Sequence, residues 1–163
     1  MAQTPYQQLE QEFRRLHAFR GAASVLRWDA AVMMPRGSAS VRGEQLAALA
    51  SECHALLTAP KVSRLIERAQ AGASQLEDWQ LANLREMRRE RDHAIATPSS
   101  LVTRLARATA VAEVRWLEAK QESNFALFAP HLEEVIALTR DKAQVLSQAL
   151  GLSPYDALID GFS

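Results

Sequence analysis

The sequence predicts an all-α fold, an antiparallel bundle of about six helices, and three observations indicate this. Gly and Pro are rare, at six residues each among 163. Ala and Leu are abundant, whereas the β-branched residues that strands prefer are sparse. Apolar residues also recur every three or four positions, as on one face of a helix. A chain of this length, 48% hydrophobic, is expected to form one domain over residues 1–163 without a disulfide framework.

The net charge and the cysteine content exclude several classes of function and indicate a compartment. Nineteen basic residues balance nineteen acidic ones, which argues against a dedicated nucleic-acid or anionic-membrane binder. No apolar stretch is long enough to span a bilayer or to act as a signal peptide. Cys53 is the single cysteine, so the chain is expected in a reducing compartment, the cytoplasm.

The first helix is predicted to run from a cap at Thr4 to the corner Met34-Pro35. Gln7 lies three residues after Thr4 and completes a capping box, and Pro5 suits the first helical position. Its apolar stripe consists of Leu9, Phe13, Leu16, Phe19, Ala23 and Leu26. Pro35 excludes Met34 from the α conformation and therefore ends the helix.

Helix-breaking and capping residues separate the remaining helices. The second helix is predicted to end at Thr58-Ala59-Pro60, and a short third helix at Gly72-Ala73. Ser74 and Glu77 are spaced as another capping box, which predicts the start of a fourth helix that ends near Ile95.

The second half of the chain follows the same pattern. Thr97-Pro98 separates the fourth helix from the fifth, which is expected to fade at Ser123-Asn124. A connector over 125–130 leads to the sixth helix, for which Gly151 is the predicted left-handed C-cap. Residues 153–160 begin like a further helix.

No catalytic or metal-binding constellation is predicted. His17, His54, His93 and His131 lie on different predicted helices, and H-E-x-x-H, the spacing that directs two imidazoles at one zinc ion, does not occur. Isolated histidines are more often surface or half-buried residues than metal ligands. Cys53 and His54 are adjacent on a helix and point about 100° apart, which favours an inert thiol over a nucleophilic pair.

Two further features are interpreted as structural. Residues 85–93 form the densest charge run, but its arginines alternate with acidic residues, which favours a solvated helix face over a phosphate-binding surface. Trp28, Trp79 and Trp116 are expected to be core or interface anchors in preference to stacking platforms for bases.

Short motifs recur in a defined order along the chain. They are Trp28-Asp29, Met34-Pro35, Arg42, Leu46, Leu49, His54, Asn83 to Glu86, Pro98, Trp116, Phe128 to Leu132, Leu138 to Arg140, Ala143 and Tyr155 to Asp160. In this order and spacing, from about residue 9 to residue 160, the chain resembles the N-terminal region of the carboxypeptidase Taq family, the thermostable metallocarboxypeptidases.

The resemblance implies part of a larger all-helical peptidase. In that family N-terminal helices form a wall or lid of a groove for a peptide substrate, and a later portion holds a zinc ion that activates water to remove a C-terminal amino acid. The family's H-E-x-x-H motif lies farther along than Ser163, and Gly161 to Ser163 depart from its aromatic-Glu-Pro-Gly continuation. The resemblance therefore assigns no catalytic, cofactor-binding or metal-ligating residue to this chain.

The sequence is consistent with two functional hypotheses. The first is the N-terminal region of a zinc carboxypeptidase without its catalytic portion, in a family described as homodimeric. The second, from a different class, is a free-standing helical scaffold or interaction module without enzymatic activity.

Two further structural features are expected. We expect a latch in which Trp28 packs under the corner at Pro35, while Asp29 either pairs with Arg42 or caps the turn or the following helix. Residues 152–162 place apolar groups three or four apart, so we expect self-association, contact with the missing catalytic portion, or a fraying tail.

Overall fold

The computed structural model describes residues 3–162, apart from the side chains of Arg36 and Phe162, and within that range it is all-α, as predicted. It contains seven helices between residues 3 and 162, α1 (Pro5–Val32), α2 (Ala39–Thr58), α3 (Pro60–Ala71), α4 (Asp78–Ala96), α5 (Ser99–Gln121), α6 (Ala129–Leu150) and α7 (Pro154–Ile159). Short 3₁₀ turns connect several of them, and one over Asp160–Phe162 follows α7. None of the helices in this part of the chain combines the length and hydropathy needed to cross a membrane.

The predicted start of α1 and the predicted end of α6 are confirmed. The Gln7 amide donates to Thr4 Oγ1 at 3.2 Å, and the Thr4 amide donates to Gln7 Oε1 at 3.0 Å, which forms the expected capping box. Gly151 adopts φ +69°, and its amide donates to the Ser147 carbonyl. A left-handed residue therefore ends α6, as glycine permits without a steric cost.

The predicted start of the fourth helix is wrong. Helix α4 begins at Asp78 with Glu77 as its N-cap, and the Glu77 amide donates to Gln80 Oε1 at 2.9 Å. Ser74 instead lies in a 3₁₀ turn over Ala73–Gln75. A carboxylate can accept the orphan amides of a first turn as a hydroxyl does, so Glu77 takes the cap itself and the box begins three residues later.

The largest group of buried side chains lies where α1, α3 and α4 meet the end of α2. It comprises Tyr6, Leu9, Phe13, Leu16, Leu57, Val62, Leu65, Ile66, Ala69, Leu84, Met87 and Ala94. We call it the large core. Two smaller clusters lie around α5, one formed by Ala23, Leu46 and Ala110 and the other by Leu101, Ala108 and Leu138. The largest buried cluster is therefore formed by the first four helices.

The charge run on α4 is not a solvated face throughout, which corrects the prediction. Residues 89–93 are all half-buried. Glu90 pairs with Arg20 of α1 at 2.7 Å, and Arg91 donates to Ser63 Oγ of α3 at 2.9 Å. Because other helices pack around this half of α4, its charged groups find partners across interfaces.

The tryptophans are not core residues either. Trp28, Trp79 and Trp116 are 60%, 56% and 47% exposed. Trp79 packs edge-on against Tyr6, with ring centroids 6.3 Å apart, and remains at the rim of the large core. Their role as interface anchors stays a prediction.

Candidate functional site

A cleft of about 510 Å³ lies between α1, α2, α4 and α5, with one contribution from α6. Its apolar lining comes mainly from α2 and α5 and includes Leu46, Leu49, Leu101 and Leu105. Leu49 and Leu105 are only partly buried, so the cleft exposes apolar surface to whatever enters it. A volume in this range is typical of small-molecule and side-chain binding pockets.

Charged groups of both signs line the same cleft. Arg20 and Glu90 form an ion pair across it, whereas Arg27 and Lys142 make no hydrogen bond or ion pair with the residues described. Desolvation beside the cleft raises the pKa of the Glu113 carboxyl, although the residue as a whole is exposed, and the charge of Arg27 opposes this shift without cancelling it. The cleft therefore offers two cations without a hydrogen-bonded partner among the described residues, and one carboxyl group whose ionisation is disfavoured.

The cysteine and two of the histidines have structural positions beside the cleft. His54 Nε2 lies 2.9 Å from the Ala94 carbonyl and 2.7 Å from that of Thr97, where it satisfies the end of α4. Burial raises the pKa of the Cys53 thiol, which disfavours the thiolate that a nucleophile requires. His93 Nε2 lies 2.5 Å from Asp160 Oδ2. Neither the thiol nor these imidazoles form a Cys/His nucleophilic pair.

The histidines do not converge on a metal site. His17 is exposed on α1 and His131 half-buried on α6. Among residues 3–162, no group of three or more His, Cys, Asp and Glu side chains is arranged to hold a metal ion. The side chains of this part of the chain therefore do not fit the zinc ion that the resemblance implies for the larger protein.

The structure brings Asp29 and Arg42 together. Arg42 Nη2 lies 2.6 Å from Asp29 Oδ2, and Nη1 donates to the backbone carbonyl of Leu26. The Arg42 side chain is 15% exposed. The Asp29 carbonyl also accepts the amides of Met33 and Met34, each at 2.9 Å. Asp29 thus contacts both the end of α1, through its carbonyl, and α2, through its carboxylate.

The place of Trp28 and Pro35 in the expected latch stays a prediction. Trp28 is 60% exposed, and Pro35 is exposed as well. Neighbouring helix residues point about 100° apart, so Trp28 and Asp29 lie on different faces of α1.

Sequence reasoning missed one cluster. Asp160, in the turn after α7, contacts both Arg89 and His93 of α4. The spacing of Arg89 and His93 by one helical turn places them on one face and could have suggested a shared partner. No local pattern indicates which carboxylate, 67 residues along the chain, that partner would be.

Comparisons with known proteins agree with the resemblance. A family model described as carboxypeptidase Taq (M32) metallopeptidase matches residues 8–163. A protein of Thermus thermophilus named thermostable carboxypeptidase 1 is 35% identical over 162 residues, which cover 93% of this chain and 32% of the relative. The protein of the same name from Pyrococcus furiosus is 32% identical over 153 residues, 94% of this chain and 30% of the relative.

Solved structures give the same result. Trypanosoma cruzi metallocarboxypeptidase 1 matches with a TM-score of 0.72 and 36% identity, over 96% of this chain and 31% of that one. A crystal structure named BsuCP has a TM-score of 0.88 at 22% identity, again over 96% of this chain and 31% of the other, and supports the fold alone. The chain spans about a third of the length of the curated relatives it matches.

Proposed function

Because the chain belongs to the carboxypeptidase Taq (M32) metallopeptidase family, we propose that it is the N-terminal helical region of a zinc-dependent carboxypeptidase and shapes the groove for a peptide substrate. The observation that carries the proposal is a match over residues 8–163 that nevertheless corresponds to about a third of the relatives' length. In this proposal the region binds and orients substrate, and the groups that cleave the peptide lie elsewhere.

The cleft supports the groove role. A peptide presents apolar side chains together with carbonyl groups, amides and carboxylates. The partly exposed Leu49 and Leu105 offer contacts for the apolar side chains, and Arg27 and Lys142 offer charge for the oxygen atoms. The apolar side chains and the oxygen atoms of a peptide would therefore each meet a matching class of lining residue.

The metal of the larger enzyme is also part of the proposal. Zinc would polarise a water molecule for attack on the terminal peptide bond. Since the side chains of residues 3–162 do not fit such an ion, the proposal assigns its ligands to sequence outside this range. The contribution of this chain is confined to substrate binding and orientation.

Two measurements on the 163-residue chain test these assignments. After dialysis, metal analysis is expected to find no stoichiometric zinc, and a C-terminal trimming assay to detect no released amino acid. One tightly held zinc ion per chain, or measurable release of amino acids, would contradict the assignment of the catalytic groups.

Peptide binding tests the groove itself. We expect an apolar pentapeptide to perturb the NMR amide signals of cleft residues on α2 and α5. Ala106→Trp should weaken this binding by filling the cleft, while Ala149→Trp, on an exposed part of α6, should leave it unchanged. Perturbations confined to other surfaces, or equal binding by both variants, would count against the groove role.

We further propose that an apolar face at the end of the chain is covered, either by a second copy or by the catalytic portion. Tyr155, Ile159 and Leu152 are 71%, 48% and 40% exposed. Light scattering over a concentration series should show a rising mass that Tyr155→Ser combined with Ile159→Ser lowers. A strictly monomeric protein would exclude self-association and leave the catalytic portion as the occupant.

A further inference from the structure

Two basic side chains of the cleft have no ion-paired carboxylate among the residues that the structure describes. They are Lys142 on α6, which is half-buried, and Arg27 on α1, which is exposed. A half-buried ammonium group has lost part of its hydration, and here no fixed counter-charge replaces it. These two cations are therefore available to an anion that enters the cleft.

The balance of charge in the lining is positive. Besides two histidines, the lining holds three basic side chains and two carboxyl groups. Arg20 and Glu90 pair at 2.7 Å, which leaves Glu113 against Arg27 and Lys142. Desolvation raises the pKa of Glu113, and the charge of Arg27 opposes this rise only in part. Even a fully ionised Glu113 would leave one positive charge in excess, so the complementary ligand is an anion.

Apolar side chains of α2 and α5 make up much of the same lining, namely Leu46, Leu49, Leu101, Val102 and Leu105. An ion pair formed beside apolar surface is screened less by water than one on an open surface. The volume of about 510 Å³ is large enough for more than one amino-acid side chain. The cleft therefore suits a ligand that carries an anionic group next to apolar groups.

Peptides contain two kinds of carboxylate, the terminal one and those of acidic side chains. In the groove role proposed above, on which this inference rests, the groups that cleave the peptide lie outside residues 3–162. The terminal carboxylate belongs beside the bond that is cleaved, and therefore near those groups. A carboxylate that reaches this cleft is accordingly that of a side chain.

We propose that the cleft selects peptides in which an aspartate or glutamate lies next to large apolar residues. Lys142 and Arg27 bind the side-chain carboxylate. The leucines of α2 and α5 contact the apolar neighbours. The two cations are thus specificity-determining residues for a position of the peptide away from the bond that is cleaved.

Two capped peptides that differ in one group test this selectivity. In acetyl-Ala-Leu-Glu-Leu-Ala-amide the side-chain carboxylate is the only charge, and the Gln counterpart lacks it. We expect the Glu peptide to bind about fivefold more tightly, because an ion pair adds to the apolar contacts that both peptides share. Titration of the amide signals of α2 and α5 by NMR measures both affinities. Lys142→Gln combined with Arg27→Gln should abolish the preference, whereas Lys142→Arg should retain it.

Two exposed arginines outside the cleft lining provide the matched control. Arg14→Gln on α1 combined with Arg140→Gln on α6 removes the same charge from the same helices and should keep the preference. The amide signals of the large core report that each variant is folded.

The outcomes separate this selectivity from the groove role. Equal affinity for the two peptides, or a preference lost equally in both double variants, would overturn the selectivity and leave the groove role in place. A Gln peptide that gains as much from a free terminal carboxylate would make the terminal group the source and would overturn it as well. If neither peptide perturbs the amides of α2 and α5, both the selectivity and the groove role are overturned.

Discussion

The two ends of this helical assembly are packed with different kinds of side chain. The large core of α1, α3 and α4 is filled by leucines, aromatic rings, Val62, Ile66 and Met87. Around α5 and α6 the buried positions are mostly alanines, namely Ala108, Ala110, Ala112, Ala119 and Ala143. Alanine buries little area per residue, so the second region gains less from its own packing.

This difference indicates which region is stabilised by its own apolar packing. In the first region, apolar side chains face one another and are removed from water. In the second, helices are brought together by small residues, and α5 supplies a large part of the cleft lining. We infer that the first region supplies most of the stability and the second supplies most of the surface for binding.

The largest expected effect tests that division directly. Leu9 and Leu138 are 0% and 1% exposed, so both truncations to alanine leave a cavity. We expect Leu9→Ala to lower the free energy of unfolding by about 4 kcal/mol and Leu138→Ala by about 2 kcal/mol. The cluster around Leu138 is smaller, and half of its members are only partly buried, so the truncation loses fewer contacts there. Chemical denaturation measures both, and a larger loss for Leu138→Ala would reverse the comparison.

A smaller effect is expected where α1 meets α2. Asp29→Ala strands the Arg42 guanidinium in a half-buried position and should cost about 1 to 3 kcal/mol. Glu44→Ala is the matched control, because its pair with Arg107 has the same 2.6 Å separation but exposed side chains. The control should cost about 0 to 1 kcal/mol. Equal losses would show that burial does not distinguish the two pairs.

The pH dependence of stability tests the role of Glu113 in the cleft. Because the pKa of Glu113 is raised in the folded protein, its ionisation opposes folding once the pH exceeds that pKa, and the penalty is absent below the ordinary carboxyl pKa. Glu113→Gln should therefore stabilise the protein at neutral pH, with the gain vanishing at acidic pH. Urea denaturation at both pH values measures this, with Glu134→Gln on α6, a residue outside the cleft lining, as control. A gain that persists in acid would contradict the cause given.

The smallest effect concerns Cys53, at the boundary between the large core and the cleft. Burial raises its pKa, so the native thiol should react more slowly with iodoacetamide at neutral pH than the same thiol in denaturant. Equal rates would place Cys53 in an environment as solvated as the unfolded chain.

Local signals predicted the helices well, because they depend on residues close in sequence. Thr4 with Gln7, Pro35 and Gly151 each act on the backbone beside them, and each has the expected effect. Ser74 failed as a cap because a second capping residue, Glu77, lay three positions farther on. Competition between neighbouring signals therefore limits the prediction of element ends.

The candidate site was predictable only in part. Asp29 and Arg42 were identified through a motif resemblance. The cleft was not, because its lining comes from five helices whose relative positions no local pattern encodes. The partial burial of Arg91 depends in the same way on α3, which supplies Ser63. Long-range packing decides which charges are shielded from water.

Arg42 donates to two different acceptors on α1, and this gives the ion pair between α1 and α2 a fixed direction. One nitrogen of its planar fork meets the Asp29 carboxylate, and another meets the Leu26 carbonyl, a backbone group that no substitution on α1 can replace. Exchanging the two charges, with Arg at 29 and Asp at 42, would restore the Coulomb attraction. It would also leave the carbonyl without its donor and set an acceptor beside it. The polarity of this ion pair is thus set by the backbone of α1.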